Sequence, residues 1–433
     1  MKTKLNIQRN VKITVLAFIV NIILTFVGFR LVVQHGGTEA LGLWSMLTAS
    51  IYIIRLGDVG VGSATERVIA LLDVEKEPLL MRRYLDTALV LNGLIFIVLT
   101  GIIFILMNLN ISWLIPGSQA EQSEGKKILP IILMAFILTN LGNIVLGGLR
   151  GLHFAWQGAY FSIFSGSVQL ILIILLVPKI GVEGLAWAQL SQALILGLLA
   201  WLFFNRHIQF CTKLKVSSLP RYGSCNLLKE LFGFSIRVQA VNLANGFFEP
   251  ISKIMVGHSG GMALLGLYEM AFKIVALPRN AVISGVHSLT PAITRLMRQD
   301  QFEAINLYKL AYKRVTFGTS MVLGSVILSA PLISIITIGT VNSRLICFIA
   351  IIAVGFLINS FGAPAYALGL AAGVMKFNLI SSILSLCCVI FFGFVLKIIM
   401  PIYGTALACA IGLSVGGLFI RWKNEKLLAV EKI

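Results

Sequence analysis

The sequence predicts an all-α integral membrane protein in which twelve transmembrane helices form two parallel six-helix bundles. Three observations predict this fold class: frequent long apolar segments, the distribution of basic residues among the loops, and an internal repeat. Of the 433 residues, 58% are hydrophobic and only 12% are charged, and the mean hydropathy is +0.93. This composition is typical of a polytopic membrane protein and excludes a soluble domain.

Apolar segments long enough to cross a membrane recur along the whole chain. A helix needs about 20 apolar residues to cross a hydrocarbon core of roughly 30 Å. The first segment is too long for the core of a signal peptide and no small-residue cleavage site follows it, so we expect a retained helix. The twelve predicted spans cover residues 11–33, 41–62, 84–108, 128–149, 158–178, 182–204, 230–256, 263–288, 311–337, 345–370, 374–398 and 402–421.

The net charge of +18 is a topology signal in such a protein and does not indicate nucleic-acid binding. Loops on one side of the predicted membrane contain 24 of the 35 Lys and Arg residues, Arg82 and Arg83 among them, and loops on the other side contain five. Basic residues accumulate in cytoplasmic loops. We therefore expect both termini in the cytoplasm and an even number of spans.

An internal repeat divides the chain into two halves. Residues 33–47 read VQHGGTEALGLWSML, and residues 257–271, 224 positions later, read GHSGGMALLGLYEMA. Since each half has an even number of spans, the halves are parallel repeats, and a substrate path would run between them. We predict an N-terminal six-helix lobe over residues 1–210, a basic cytoplasmic linker over 211–229 and a C-terminal six-helix lobe over 230–433.

Charges inside the spans are the best indication of function, because a charged side chain at mid-membrane costs about 2.5 to 3.5 kcal/mol and usually faces a cavity. Span two contains Arg55 and Asp58, and the repeat shift of 224 takes Arg55 to Arg279 in span eight. The two arginines would face each other across the central cavity. Asp58 has three interpretations: a partner of Arg55, a cap of the glycine-rich helix end, or a functional carboxylate. Arg30 lies near the outer end of span one, close enough to the surface to snorkel.

Spans seven and eight present polar stripes at helical spacing. In span eight, Glu269 and Lys273 are four residues apart and are followed by Asn280 and Ser284. Glu249 and Lys253 form a similar pair in span seven. In each pair the two charges would either neutralise one another and hold helices together, or line a cavity. The stripe of span seven consists of Ser235, Gln239, Asn242, Asn245, Glu249 and Lys253.

Motifs for nucleotide hydrolysis and for zinc-dependent catalysis are missing from the sequence. It contains no GxxxxGK[ST] or HExxH pattern, and its six cysteines and five histidines have no metal-ligand spacing. We therefore expect neither an enzyme nor a cofactor or metal site. An ion gradient, the membrane potential or substrate flux would drive transport.

Two segments resemble the polysaccharide-exporter branch of the multidrug/oligosaccharidyl-lipid/polysaccharide (MOP) superfamily, namely HGGTEALGLWSML (residues 35–47) and RLGDVGVGSATERVIA (residues 55–70). The resemblance implies a V-shaped central cavity and alternating access. It further implies a flippase of the bacterial inner membrane that moves an undecaprenyl-diphosphate-linked oligosaccharide, such as an O-antigen unit, from the cytoplasmic to the periplasmic leaflet. Its partners would be membrane lipids, H⁺ or Na⁺, and a glycan polymerase.

The resemblance also gives the intramembrane residues their expected roles. Cations in the cavity would attract the diphosphate, and buried carboxylates would couple transport to an ion. The candidate substrate-binding residues are Arg55, Arg279, Lys273, Arg237, Arg30, Lys253, Asn242 and Asn245. The candidate coupling residues are Glu249, Asp58 and Glu269.

Three alternatives remain open at this point. A multidrug or cation antiporter of the same superfamily would be expected to have an acidic cavity, which the sequence does not predict. A lipid II flippase would have more arginines in span one. A membrane glycan polymerase would carry a large periplasmic loop, whereas the longest outer loop, residues 112–127, is short and of mixed charge.

Overall fold

A computed structural model describes residues 2–57, 60–73, 76–212, 219–221, 223–224, 226–227, 241, 243–287 and 290–426. Over these ranges the regular structure is entirely helical, which confirms the predicted all-α class. A 3₁₀ turn at Tyr52–Gly57 interrupts the chain between the first two α-helices. The α-helices whose bounds lie within the described residues are α1 Lys2–Ile51, α2 Val61–Leu71, α3 Pro78–Leu109, α4 Ile111–Leu114, α5 Gln119–Gly151, α6 Ala155–Ile180, α7 Val182–Thr212, α8 Phe248–His287, α9 Thr290–Gln299, α10 Gln301–Leu328, α11 Ala330–Ile338, α12 Ser343–Ser360, α13 Ala363–Ala371, α14 Lys376–Ile399 and α15 Gly404–Glu425.

Nine helical segments in the described part of the chain are long and apolar enough to cross a membrane, or ten if α10 and α11, bent by 59°, form one span. The chain is therefore a multi-pass membrane protein. The count of twelve spans stays a prediction, since the first part of predicted span seven, residues 230–240 and 242, lies outside the described residues. Span two is not one continuous helix, because α1 ends at Ile51 and α2 begins only after Gly60, which adopts a left-handed conformation (φ 77°).

Both long helices that contain the repeat are broken at equivalent glycines. Gly37 in α1 has φ 70° and ψ −176°, and Gly261 in α8 has φ 74° and ψ −176°. Glycine has no Cβ and adopts positive φ without strain, whereas other residues rarely do. The sequence repeat at a shift of 224 therefore corresponds to a repeated backbone conformation.

Helix α8 folds back on itself at Gly261. A straight helix would separate Glu249 from Lys273 by about 36 Å at roughly 1.5 Å per residue, yet their side chains are in contact at 2.7 Å. Ser252 likewise accepts a hydrogen bond from the hydroxyl of Tyr268. The two parts of α8, before and after Gly261, therefore lie side by side and correspond to the end of predicted span seven and to span eight.

The helices group into two compact units. Unit 1 comprises Met1–Gly36 and Ser50–Gln239, and unit 2 comprises Gly37–Ala49 and Ala240–Ile433. The second part of α1 thus packs with the C-terminal helices, although the sequence analysis assigned it to the N-terminal lobe. Its place in unit 2 follows from its contacts with α8, which are described below. The predicted lobe boundaries themselves stay a prediction.

Unit 1 has an apolar core between α2, α3, α5 and α7. Helix α2 approaches α5 closely because Gly147 and Gly151 face the backbone carbonyls of Gly62 and Glu66. This small-residue contact is the helix-packing role expected for glycines in membrane helices.

A buried ion pair in α3 corrects one expectation. Arg82, which the sequence analysis placed in a cytoplasmic loop, is only 1% exposed, and its Nε donates to Asp86 Oδ1 at 2.6 Å. The second Asp86 oxygen accepts from the backbone N–H of Arg221 at 3.2 Å, and the Arg82 guanidinium lies 4.2 Å from the Trp201 ring centroid. A count of charges in the loops does not reveal this pair. Asp86 lies one turn after Arg82 in the same helix, and the other contacts of Arg82 come from Trp201 in α7 and from Leu219 in the linker.

In unit 2, the second part of α1 crosses α8 through a reciprocal glycine contact. Gly42 lies against the backbone carbonyl of Met262, and Gly266 lies against that of Thr38. Each of these two contacts is related to the other by the repeat shift of 224. Gly37 and Gly261 thus begin two helical segments that cross at their repeated glycines.

This crossing predicts the effect of adding one methyl group. A Cβ at Gly42 would overlap the Met262 carbonyl, so Gly42→Ala should lower stability by about 1 to 3 kcal/mol, the usual cost of overpacking. Gly324→Ala on α10 is the matched control, since no atom lies within 4 Å of the added Cβ. Thermal unfolding of the purified protein in detergent would measure both. Equal unfolding temperatures for the two variants would contradict the close approach.

Candidate functional site

A cavity of about 470 Å³ lies in unit 2, between α8, α12, α13, α14 and α15. Its volume is within the range of small-molecule sites, roughly 300 to 1,000 Å³. Its charged lining residues are Glu249, Lys273 and Arg279. Aliphatic residues and glycines form part of the wall, and its aromatic, amide and hydroxyl side chains are Phe248, Phe272, Phe356, Tyr366, Asn245, Asn280, Asn359, Ser381, Ser382 and Ser385.

The Arg279 guanidinium is held by neutral groups on every nitrogen. Its Nη2 donates to Asn359 Oδ1 at 2.6 Å, its Nε donates to Ser360 Oγ at 3.2 Å, and its Nη1 donates to Asn280 Oδ1 at 3.1 Å. The guanidinium also lies 5.0 Å from the ring centroid of Phe356. No carboxylate of the described chain pairs with it. Arg279 therefore presents an uncompensated positive charge, and it keeps donor capacity because a guanidinium has five N–H groups.

Four charged side chains form a chain of ion pairs beside this arginine, which we call the α8 charge chain: Glu269, Lys253, Glu249 and Lys273. Lys253 contacts Glu269 at 2.5 Å and Glu249 at 2.6 Å. Glu249 also contacts Lys273 at 2.7 Å. The two carboxylates and the two ammonium groups balance, so Arg279 leaves this region with a net positive charge.

The structure corrects the expected pairing within α8. Glu249 and Lys253 pair as their spacing suggested, but Glu269 pairs with Lys253 instead of Lys273. The physical reason is the reversal at Gly261, which brings Lys253 between the two carboxylates and places Lys273 beside Glu249. Glu269 gains a further hydrogen bond from Ser45 Oγ at 2.9 Å, on the second part of α1.

Other predicted residues are only partly brought into this site. Asn245 lines the cavity and its Oδ1 accepts from Ser382 Oγ at 2.6 Å. Arg55 lies in unit 1 on the 3₁₀ turn, where its Nη1 donates to the hydroxyl of Tyr52 at 3.3 Å. Arg30 is half-buried in α1 of unit 1. The remaining three candidates fall outside the described residues: Asp58, Arg237 and Asn242.

The groups that hold Arg279 were not among the site residues predicted from the sequence. Asn359 and Ser360 end α12, and Asn359 Nδ2 donates to the Leu413 carbonyl at 2.9 Å, which fixes its oxygen toward the arginine. The polar pair in the otherwise apolar segment FLINSFG (residues 356–362) was the available signal. The serines at positions 381, 382 and 385 of α14 line the same cavity. Their helical spacing was a second signal in the sequence for the polar wall of the cavity.

Comparisons with solved structures define the class of the fold. An inward-facing structure described as a multidrug resistance MATE family transporter of the MOP superfamily matches with a TM-score of 0.77 at 15% identity, over 94% of each chain. A MOP superfamily transporter from Pyrococcus furiosus matches with a TM-score of 0.67 at 17% identity, over 99% of this chain and 96% of the other. Its description reports reverse polarity of the binding pocket and suggests a different function. The chain thus has the fold of MOP superfamily transporters.

Sequence comparison gives the family. The profile of the family described as "Polysaccharide biosynthesis protein" matches residues 74–341, more than half of the chain. The chain belongs to this family. A curated relative, "Probable flippase AglR" of Haloferax volcanii, is 22% identical over 294 residues. The match spans 67% of this chain and 56% of that relative's length.

The α8 charge chain predicts that one lysine is essential for stability. The Lys253 side chain is 7% exposed, so Lys253→Met would leave Glu269, 8% exposed, with only a hydroxyl partner. Removing one member of a buried pair costs about 3 to 5 kcal/mol, because the remaining charge is uncompensated. Thermal unfolding of the purified protein should show this loss for Lys253→Met and a change within about 0.5 kcal/mol for the exposed Lys313→Met.

A double variant separates charge from packing. Lys253→Met combined with Glu269→Gln removes both charges, while Glu249 keeps Lys273. We expect the double variant to recover most of the stability that Lys253→Met loses, as a double-mutant cycle would show. A double variant as unstable as the sum of its single changes would contradict the pairing.

Proposed function

We propose that the protein is a flippase that moves an undecaprenyl-diphosphate-linked oligosaccharide across the bacterial plasma membrane by alternating access. The glycan would be an O-antigen or another repeat unit of a surface polysaccharide, carried from the cytoplasmic to the outer leaflet. Membership of a polysaccharide biosynthesis family and the MOP transporter fold support this proposal. The name of the curated relative, a probable flippase, agrees with it.

Arg279 is the single observation that carries the substrate assignment. A lipid diphosphate is the anionic part of the proposed substrate, and a guanidinium binds phosphate oxygens in a bidentate manner. Arg279 lines the cavity and has only neutral partners among the described residues. Its positive charge is therefore available to a phosphate group, and the neighbouring amides and serines suit the hydroxyls of a sugar.

The same charge balance argues against export of organic cations. A cation site would need an uncompensated carboxylate, but Glu249, the acidic residue that lines this cavity, already binds two ammonium groups. The reverse polarity reported for the binding pocket of the Pyrococcus furiosus transporter is a precedent for a superfamily member whose pocket charge suggests a different function. We therefore favour an anionic substrate.

Arg55 would be the counterpart of Arg279 in the other half. It lies 224 residues earlier, and its buried Nε has no hydrogen-bond partner in the described structure. We propose that both arginines bind the diphosphate during the transport cycle.

The other intramembrane polar residues complete two proposed sets. The substrate-binding set also includes Arg237, Arg30, Lys253, Lys273, Asn242 and Asn245. The proposed coupling set is Glu249, Asp58 and Glu269. With both termini in the cytoplasm, a glycan polymerase would use the product on the outer side.

Loss of either arginine should reduce glycan export. Removing a hydrogen-bonded charge costs about 1.5 to 3 kcal/mol, so Arg279→Ala and Arg55→Ala should each lower export roughly 10- to 100-fold. Arg→Lys variants keep the charge but lose the bidentate geometry, and we expect partial export from them. The amount of surface polysaccharide in cells with equal membrane levels of each variant measures the effect.

The control for this experiment is Arg314→Ala. Arg314 is exposed on α10 and lies outside the cavity, so its loss removes the same charge without touching the proposed site. Normal amounts of surface polysaccharide in both Arg279→Ala and Arg55→Ala cells would contradict the proposed function.

Glu249 gives a test of ion coupling. Its side chain is one-third exposed in the cavity wall, and a carboxylate there can gain or lose its charge during a cycle. We expect Glu249→Gln to make transport into vesicles less dependent on an imposed H⁺ or Na⁺ gradient. Unchanged gradient dependence would contradict a coupling role for Glu249 and leave Asp58 and Glu269 as the candidates to test.

A further inference from the structure

We infer that Glu249 serves as an internal counter-anion, which holds Lys273 until a phosphate group enters the cavity and replaces it. This inference rests on the proposed function, because it takes the incoming anion to be a phosphate. It adds a specificity-determining role for Glu249. It also adds that Lys273, already a member of the proposed substrate-binding set, becomes available to a phosphate only when it is displaced from Glu249.

The α8 charge chain has an inner pair and an outer pair. The inner pair, Lys253 and Glu269, is buried, with side chains 7% and 8% exposed. The outer pair, Glu249 and Lys273, is 33% and 31% exposed, and both residues line the cavity. The outer pair is therefore the part of the α8 charge chain that a ligand in this cavity would meet first.

The outer pair can open without leaving a buried charge unpaired. If Lys273 leaves Glu249, the carboxylate still contacts Lys253 at 2.6 Å. Lys253 in turn keeps Glu269. Lys273 has Glu249 as its ion-pair partner in the described chain, so its ammonium group is the one free to change partner.

Arg279 would recruit the anion that draws Lys273 away from Glu249. Both Arg279 and Lys273 line the same cavity on the second part of α8. A phosphate bound to Arg279 would add a second anion to the cavity that Lys273 also lines, and two phosphate charges attract an ammonium group more strongly than one carboxylate does. A neutral sugar could not displace Glu249, so the outer pair would discriminate in favour of a phosphate-bearing ligand.

Binding of inorganic pyrophosphate to the purified full-length protein tests this role, with isothermal titration calorimetry as the measurement. Glu249→Gln removes the competing charge, so pyrophosphate should bind roughly three- to tenfold more tightly than to the wild type. Glu303→Gln is the matched control, since Glu303 is exposed at the start of α10. We expect wild-type affinity from it.

A cycle with Lys273 shows whether the gain passes through the predicted cation. Glu249→Gln should tighten binding in the wild-type background and have no effect in a Lys273→Met background. If Glu249 merely positions Lys273 for the ligand, Glu249→Gln would weaken binding. Weaker or unchanged binding by Glu249→Gln would overturn the inference.

Arg279→Ala separates this inference from the proposed function. Weaker pyrophosphate binding by Arg279→Ala, with no gain from Glu249→Gln, defeats the counter-anion role and leaves the proposed function intact. Wild-type affinity and normal glycan export for Arg279→Ala defeat the proposed function. A Lys273-dependent gain in Glu249→Gln would still support the counter-anion role in that case.

Discussion

The arrangement of unit 2 depends on one constraint, which is that a carboxylate placed inside the membrane needs a positively charged partner. Lys253 meets this constraint for two carboxylates at once, since it contacts both Glu249 and Glu269. Its position requires the reversal of α8 at Gly261, and the reversal in turn requires a residue that accepts positive φ. With the carboxylates neutralised, Arg279 determines the sign of the cavity. The charge of the candidate site therefore follows from a backbone turn located outside it.

The repeat has preserved the glycine break in the helix and one arginine, but not the α8 charge chain. Gly37 and Gly261 adopt the same conformation, and Arg55 corresponds to Arg279. The α8 charge chain has no such counterpart in the first half. At a shift of 224, its members Glu249, Lys253, Glu269 and Lys273 correspond to Thr25, Phe29, Ser45 and Ala49. The two halves thus share an architecture, while the charge chain is specific to the second half.

Much of the fold could be predicted from the sequence because hydropathy and glycine positions are local signals. The all-helical class and the repeat were visible in this way, whereas the cavity lined by Arg279, Lys273 and Glu249 lies within unit 2 and the sequence had predicted one between the halves. The pairing of Glu269 with Lys253 was not, since helical spacing describes neighbours on one straight helix and α8 reverses. The partners of Arg279 were also missed, because Asn359 lies on another helix, 80 residues away in the chain. Contacts of this kind depend on tertiary packing, which spacing alone does not encode.

The contact between Ser45 and Glu269 has a consequence for how such a chain could arise by gene duplication. These residues occupy equivalent positions of the two repeats, yet they are hydrogen-bonded to each other at 2.9 Å. The equivalent glycines Gly42 and Gly266 likewise each contact the backbone of the other repeat. In an ancestor assembled from two identical halves, this position would have faced its own copy. A glutamate there would have met a second glutamate, and two buried like charges repel. Fusion of the two copies into one gene removes that restriction, because a serine on one side can then hydrogen-bond a carboxylate on the other.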